Sequence, residues 1–195
     1  MSRQTPTDEE YYAYELIRRH FDFGELILSD KPDIISQNNL YGIEVVSALL
    51  QDEHKEIACL TKIAKGRKLK DSDLQWYRNN CCDYRSYSSA ENDAIFLVHI
   101  SQAIQEKVVK AAEYQKVQSL GLFITTHLIA DPKEQEQQYV HFFKQHQETF
   151  NFLIFEIRNE SMLLYIDKEK VQWIDYSDYQ GEIARASRER KNQTK

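Results

Sequence analysis

The stretch KPDIISQNNLYGIEVVSAL, residues 31–49, decides how this chain is expected to fold. Two short apolar runs, PDIIS and LYGIEVV, flank the segment QNN, whose residue types favour a turn. The pattern predicts two neighbouring strands, with Pro32 at the start of the first, where a missing amide proton is least disruptive. Each strand carries one acid, Asp33 or Glu44. Because a charge within a buried strand is unfavourable unless it is paired or binds a metal, the two acids mark a candidate site.

The two acids lie eleven positions apart across the predicted hairpin. Adjacent strands are ~4.8 Å apart, so the carboxylates of Asp33 and Glu44 converge if they share a face. Carboxylate oxygens are ligands for hard divalent cations, and such a cation can activate water and stabilise charge on a phosphate. Two simpler interpretations remain. Asp33 could hydrogen-bond its own backbone in an Asx turn, and Glu44 could face solvent at a sheet edge.

The sequence on either side of the hairpin predicts alternating helices and strands. A helix is expected from about Thr7 to Phe21, and a strand at GELILSD. After the hairpin, helices are predicted at SALLQDEHKEIACLTKIAKG, at SDLQWYRNN and over the long run from Ser89. An apolar strand is predicted next at LGLFITTHLIA, followed by a helix at DPKEQEQQYVHFFKQHQETF. A second hairpin is predicted from NFLIFEI and MLLYID, and a last strand at VQWIDY. This order predicts a single three-layer α/β domain over residues 1–180, a mixed sheet covered by helices with a C-terminal β-hairpin. The basic segment 181–195 is expected to be a flexible tail.

Composition indicates a globular protein. Of 195 residues, 42% are hydrophobic and 29% charged, and the formal net charge is −6. No apolar run reaches the ~20 residues that a membrane helix needs, and the segment MSRQTPTDEE lacks the apolar core of a secretory signal. The three cysteines do not have the spacing of a disulfide framework or a zinc site. We therefore expect a cytoplasmic protein without a membrane partner.

Two basic clusters are candidate contacts for nucleic acid, although the net negative charge gives no general attraction to phosphates. One is the tail segment 185–195. The other is a predicted loop with five cations: Lys62, Lys65, Arg67, Lys68 and Lys70. The alternative is that both clusters are solvated surface without a partner.

The order of elements and the pair Pro32-Asp33 with Glu44-Val45-Val46 resemble the PD-(D/E)XK nuclease superfamily. That family has an αβββαβ restriction endonuclease-like core, with Pro-Asp entering one strand and an acid-x-Lys triplet on the next. The resemblance implies that Asp33 and Glu44 bind Mg²⁺ or Mn²⁺, with the Val45 carbonyl as a third ligand. It also implies a glutamate from the first helix, for which Glu15 is the first choice and Glu10 the second.

Val46 departs from the family pattern, because a lysine is expected at this position. Some family members carry the lysine on a neighbouring helix instead, and Lys107 and Lys55 are the two candidates here. With Lys107 as the cation, the resemblance implies a metal-dependent endonuclease that hydrolyses phosphodiester bonds in nucleic acid, with DNA as the expected substrate. Without one, it implies a catalytically inactive interaction module in a larger nucleic-acid-processing or defence assembly, binding a protein partner or a second copy of the chain.

Overall fold

The computed structural model of the protein describes residues 5–48, 55, 58–59, 62–63, 66–80, 89–114, 116–126 and 132–193. The α-helices bounded within these residues are α1 (Asp8–His20), α2 (Asp71–Asn80), α3 (Ser89–Lys110), α4 (Glu136–His146) and α5 (Gln180–Gln193). The strands are β1 (Leu26–Leu28), β2 (Ile34–Ser36), β3 (Tyr41–Ser47), β4 (Ser119–Thr126), β5 (Phe152–Ile157), β6 (Met162–Asp167) and β7 (Val171–Asp175).

The seven strands form one mixed sheet in which the spatial order equals the order along the chain. Strands β3, β4 and β5 are parallel neighbours, and each of the other adjacent pairs is antiparallel. The α/β class and the mixed sheet expected from the sequence are therefore confirmed. The predicted second hairpin is strands β5 and β6, and β7 extends the sheet beyond it.

Apolar side chains cover both faces of the sheet. On one face, Ile43 and Val45 of β3 join an apolar cluster with residues of α1 and α5. On the other face, Val46 packs against a cluster that contains residues of α3 and α4. Because successive side chains of a strand point to opposite faces, Glu44 lies on the same face as Val46. This alternation places the acid between the sheet and α3.

Helix α1 begins at a capping box. The Thr7 side chain accepts a hydrogen bond from the Glu10 amide N–H, and the Glu10 carboxylate accepts one from the Thr7 amide N–H. These two bonds satisfy amide groups that the first turn of a helix leaves without partners. The sequence-based start of the helix at Thr7 agrees with this cap.

Residues 180–193 form a helix that packs along α1, whereas the basic composition of 181–195 predicted a flexible tail. Ile183 and Ser187 are buried, and Arg190 lies 2.6 Å from the Glu15 carboxylate. Lys191 also pairs with Asp8. The tail is highly charged, and a short apolar side with ion pairs is enough to hold it against α1. No helix within the described residues is long and apolar enough to cross a membrane.

Candidate active site

An open cleft of about 460 Å³ lies where β2 and β3 meet the C-terminal end of α3. The acids that line it are Glu10, Asp30, Asp33, Glu44 and Glu113. The lysines that line it are Lys31, Lys107 and Lys110. With every group ionised, the cleft carries two more negative than positive charges. It therefore has the electrostatic character of a cation site rather than of a purely basic phosphate groove.

Asp33 is held at the entrance to β2 by contacts with β3. Its carboxylate oxygen Oδ2 accepts a hydrogen bond from the Val45 amide N–H at 2.7 Å. Gly42 allows this approach, because a Cβ atom at position 42 would lie 2.7 Å from Cγ of Pro32. The Asp33 side chain thus accepts a hydrogen bond from the neighbouring strand. In an Asx turn it would instead accept one from the backbone of its own segment.

The Asp33 carboxyl lies in an environment that disfavours its charge. Burial and the adjacent Glu44 carboxylate raise the pKa of Asp33 to about 7, although the hydrogen bond from the Val45 amide opposes the shift. Two carboxylates close together in a partly dry cleft cannot both ionise at low energetic cost. A divalent cation placed between them would remove this repulsion, and its binding would then release a proton.

Glu44 is almost fully buried, with 6% of its surface exposed. Its Oε1 atom lies 2.5 Å from the Nζ atom of Lys107. Its Oε2 atom is also buried, and no residue in the described parts of the chain donates a hydrogen bond to it. A buried carboxylate oxygen without a donor is unfavourable by about 1–3 kcal/mol or more. Oε2 is therefore an oxygen atom that a bound ligand, such as a cation, would stabilise.

Lys107 brings a cation to the cleft that position 46 does not supply. The lysine lies near the end of α3, and it reaches Glu44 across 63 positions of sequence. Val46 instead packs against the apolar cluster under α3. Lys55, the other lysine considered, lies with its ammonium 4.6 Å from the centre of the Trp76 ring and does not line the cleft. The structure thus places Lys107, and not Lys55, beside the two acids.

Glu15 lies outside the cleft, and Glu10 lines it. Glu15 is buried between α1 and α5, where its carboxylate binds Arg18 at 2.8 Å and Arg190 at 2.6 Å. The choice of Glu15 as the helix acid of the site is therefore not supported by its position. Glu10 precedes Glu15 by five residues on α1, so the two side chains leave the helix in different directions. The Glu10 side chain lies on the side of α1 that faces Asp33.

The predicted basic loop does not line the cleft in the part of the chain that the structure describes. Lys62 forms an ion pair with Asp73 at 2.9 Å. Arg67, Lys68 and Lys70 are exposed and follow the turn at Gly66. Lys65 lies outside the described residues, as do Cys81 and Cys82. The role of this loop in binding nucleic acid stays a prediction.

Seven lining residues were missed by the sequence reasoning: Thr5, Ser29, Asp30, Lys31, Lys110, Glu113 and Tyr114. Lys31 and Glu113 form an ion pair of 2.8 Å between the loop before β2 and the turn after α3. The sequence did contain one signal for Lys110, Glu113 and Tyr114. They follow Lys107 within two turns, so a candidate at the end of α3 implies that the residues after it also lie near the site.

The donor set fits a hard divalent cation. Asp33 and Glu44 supply carboxylate oxygens, and Val45 lies in the lining between them. The excess of negative charge and the buried, unpartnered Oε2 atom both favour a bound cation. Among the described residues, no cluster of three or more His, Cys, Asp or Glu side chains has metal-binding geometry. A site here therefore needs backbone, water or substrate oxygens as its remaining ligands.

Comparisons of this chain with family models, with curated proteins and with solved structures find no match.

Proposed function

We propose that this protein is a metal-dependent nuclease that hydrolyses phosphodiester bonds in nucleic acid. The observation that carries the proposal is the meeting of Asp33, Glu44 and Lys107 in one cleft. Two acids from adjoining strands with one lysine form the set of groups expected of a PD-(D/E)XK site. The lysine comes from α3 here, which accounts for the valine at position 46.

The arrangement of elements supports the same proposal. Helix α1, strands β1 to β3, helix α3 and strand β4 follow one another in the αβββαβ order, with α2 inserted before α3. Strand β3 pairs antiparallel with β2 and parallel with β4. This topology brings Asp33, which directly precedes β2, beside Glu44 of β3, an arrangement that is consistent with a restriction endonuclease-like core.

The residues of the cleft have separate roles in the proposed reaction. Asp33 and Glu44, with the Val45 carbonyl, would hold Mg²⁺ or Mn²⁺. When bound, such an ion stabilises negative charge on a phosphate and makes water more acidic. Lys107 carries three N–H donors, one of which is directed at Glu44. The other donors can contact a phosphate oxygen, so Lys107 both orients the acid and stabilises the charge that develops during hydrolysis.

The lysines at the cleft favour a phosphate-containing substrate. Lys31 and Lys110 line the same cleft as Lys107, and both are exposed. Ammonium groups in this position would contact the phosphates on either side of the reacting one. Because the net charge of the protein is −6, we expect these contacts to be local and strongly weakened by added salt.

A cleavage assay tests the proposed function. Supercoiled plasmid and labelled single-stranded and duplex oligonucleotides are incubated with Mg²⁺ or Mn²⁺, and the products are resolved on gels. We expect cutting by the wild-type protein, and its loss by at least about 100-fold in Glu44→Gln, because a ligand of the ion is removed. The matched control is Glu25→Gln, which changes an exposed acid outside the cleft. Equal cutting by Glu44→Gln and the control would refute the assignment.

The second candidate function is a non-catalytic interaction module on the same fold. The acidic character of the cleft and the pairing of Lys62 with Asp73 favour it, since both weaken attraction to phosphates. Metal titration separates the two candidates. A ligand that binds only the folded state raises the melting temperature, so a protein that Mn²⁺ neither stabilises nor binds with measurable heat would favour the module.

A further inference from the structure

Tyr114 lies in the cleft and has no role in the reaction described above. It follows α3 after a short 3₁₀ turn at Ala111–Glu113, and its amide N–H donates to the Ala111 carbonyl at 3.2 Å. This turn brings the tyrosine ring into the lining, beside Asp33 and Glu44. The hydroxyl is buried, and it has no hydrogen-bond partner among the described residues.

The Tyr114 hydroxyl lies next to the carboxylate that Lys107 also contacts. Lys107 holds Oε1 of Glu44, whereas Oε2 lacks a donor in the described part of the chain. A phenolic hydroxyl has an ordinary pKa of about 10, so it keeps its proton at neutral pH and is a hydrogen-bond donor. A buried donor therefore lies beside a buried acceptor, and a hydrogen bond between them would satisfy the hydroxyl and one lone pair of Oε2, leaving the other lone pair for the ion.

We propose that Tyr114 is a positioning residue of the cation site, which donates a hydrogen bond to Glu44 and fixes its carboxylate for the ion. The inference rests on the proposed function, because it requires that Glu44 binds a cation. Carboxylate ligands of metals are commonly held by a second hydrogen-bonding group, whose loss weakens metal binding by about 10- to 100-fold. Lys107 and Tyr114 together would restrain Glu44 from both sides.

Calorimetric titration of Mn²⁺ into Tyr114→Phe tests this role. Phenylalanine keeps the ring and removes the hydroxyl, so we expect the dissociation constant for Mn²⁺ to rise by about 10-fold or more. The control is Tyr179→Phe, which removes a hydroxyl outside the cleft lining and keeps the ring that Arg19 contacts. We expect its Mn²⁺ affinity to equal that of the wild type. Equal affinities for the wild type and Tyr114→Phe overturn the proposal.

The melting temperature without metal separates positioning from a role in folding. A single hydrogen bond contributes only about 0.5–1.5 kcal/mol to stability, so we expect Tyr114→Phe to melt within a few degrees of the wild type in the presence of a chelator. A lower metal-free melting temperature with unchanged Mn²⁺ affinity would show a folding role and overturn the proposal.

The test of Tyr114 is independent of cleavage. A wild-type protein that binds Mn²⁺ but cuts no nucleic acid refutes the nuclease, while the affinity of Tyr114→Phe still decides the role of the tyrosine. A wild-type protein that does not bind Mn²⁺ overturns both.

Discussion

Replacing Asp33 with asparagine should stabilise the metal-free protein at alkaline pH. Asparagine has the shape of aspartate, and its side-chain oxygen can still accept the hydrogen bond from the Val45 amide. It removes only the charge that burial and Glu44 disfavour. We therefore expect Asp33→Asn to become more stable than the wild type as the pH rises above 3.8, with the full difference reached above pH 7.

The size and sign of the effect follow from the pKa of Asp33. The carboxyl titrates near 3.8 in an unfolded chain and at about 7 in the folded protein. Between these values the folded state holds a proton that the unfolded state has lost, so the wild-type free energy of unfolding falls as the pH rises. Three pH units correspond to about 4 kcal/mol, and solvent in the open cleft reduces this to about 2–4 kcal/mol.

Thermal melts at pH 5 and pH 8 in a chelator measure this difference. We expect the variant to melt about 5–15 °C above the wild type at pH 8, since each kcal/mol shifts the melting temperature by about 2–4 °C at this size. At pH 5, which is only about 1.2 pH units above the unfolded-state value of 3.8, the offset should be less than half as large. The control is Asp22→Asn, an exposed acid that does not line the cleft. An offset of equal size at both pH values would refute the reasoning.

Adding Mn²⁺ at pH 8 should largely cancel this difference in stability. At a Mn²⁺ concentration of 100 times its dissociation constant, the wild type gains about 2.7 kcal/mol. Asp33→Asn should gain little, because it lacks one of the two carboxylates.

Three other substitutions have distinct expected outcomes. Lys107→Met should abolish cleavage and lower metal-free stability by about 2–4 kcal/mol, because Glu44 loses its ion pair. Its Mn²⁺ affinity, measured by calorimetry, should not fall, because removing a positive charge beside the ion offsets the loss of the group that orients Glu44. Val46→Lys combined with Lys107→Met should restore part of the cleavage rate. A rate no higher than that of Lys107→Met alone would count against the hypothesis that Lys107 replaces the lysine expected at position 46. Glu15→Gln should leave cleavage unchanged but lower stability at pH 7 by about 3 kcal/mol, because the ion pairs of the buried carboxylate with Arg18 and Arg190 are lost. Urea titrations measure this change.

The pH dependence of Glu15→Gln gives an additional check on stability. Burial alone would raise the pKa of Glu15, but hydrogen bonds from Arg18 and Arg190 outweigh burial and hold it below the ordinary 4.5. The glutamate therefore stabilises the fold above that pH. We expect the difference between the wild type and Glu15→Gln to shrink as the pH falls below 4.5.

The positions of Glu44 and Lys107 at the cleft could be predicted from the sequence, because local patterns determine the direction of these side chains. Glu44 lies between Ile43 and Val45, and alternation along a strand puts it opposite them. Lys107 lies on α3 beside the apolar face formed by Ile104 and Val108, so a helix packed on the sheet brings it to the cleft. These two placements depend only on the periods of a strand and a helix, which the sequence contains.

The sequence did not predict features that depend on contacts between distant segments. The choice between Glu10 and Glu15 required the rotation of α1 about its axis, which α5 helps to fix through Arg190. The folding of residues 180–193 depends on α1 in the same way. Glu156 is buried in β5 and binds Thr125, Arg158 and Tyr176, a set of partners from three segments. No periodicity within one segment could indicate it.

The measurement that tests the central claim most directly is an anomalous difference map from crystals soaked in Mn²⁺. We expect one strong peak in the cleft, at about 2.1 Å from a carboxylate oxygen of both Asp33 and Glu44. We also expect this peak to be absent from crystals of Glu44→Gln treated in the same way. A wild-type map without density between the two acids at saturating Mn²⁺, or with the ion bound only elsewhere, would contradict the assignment of this cleft as a metal-dependent active site.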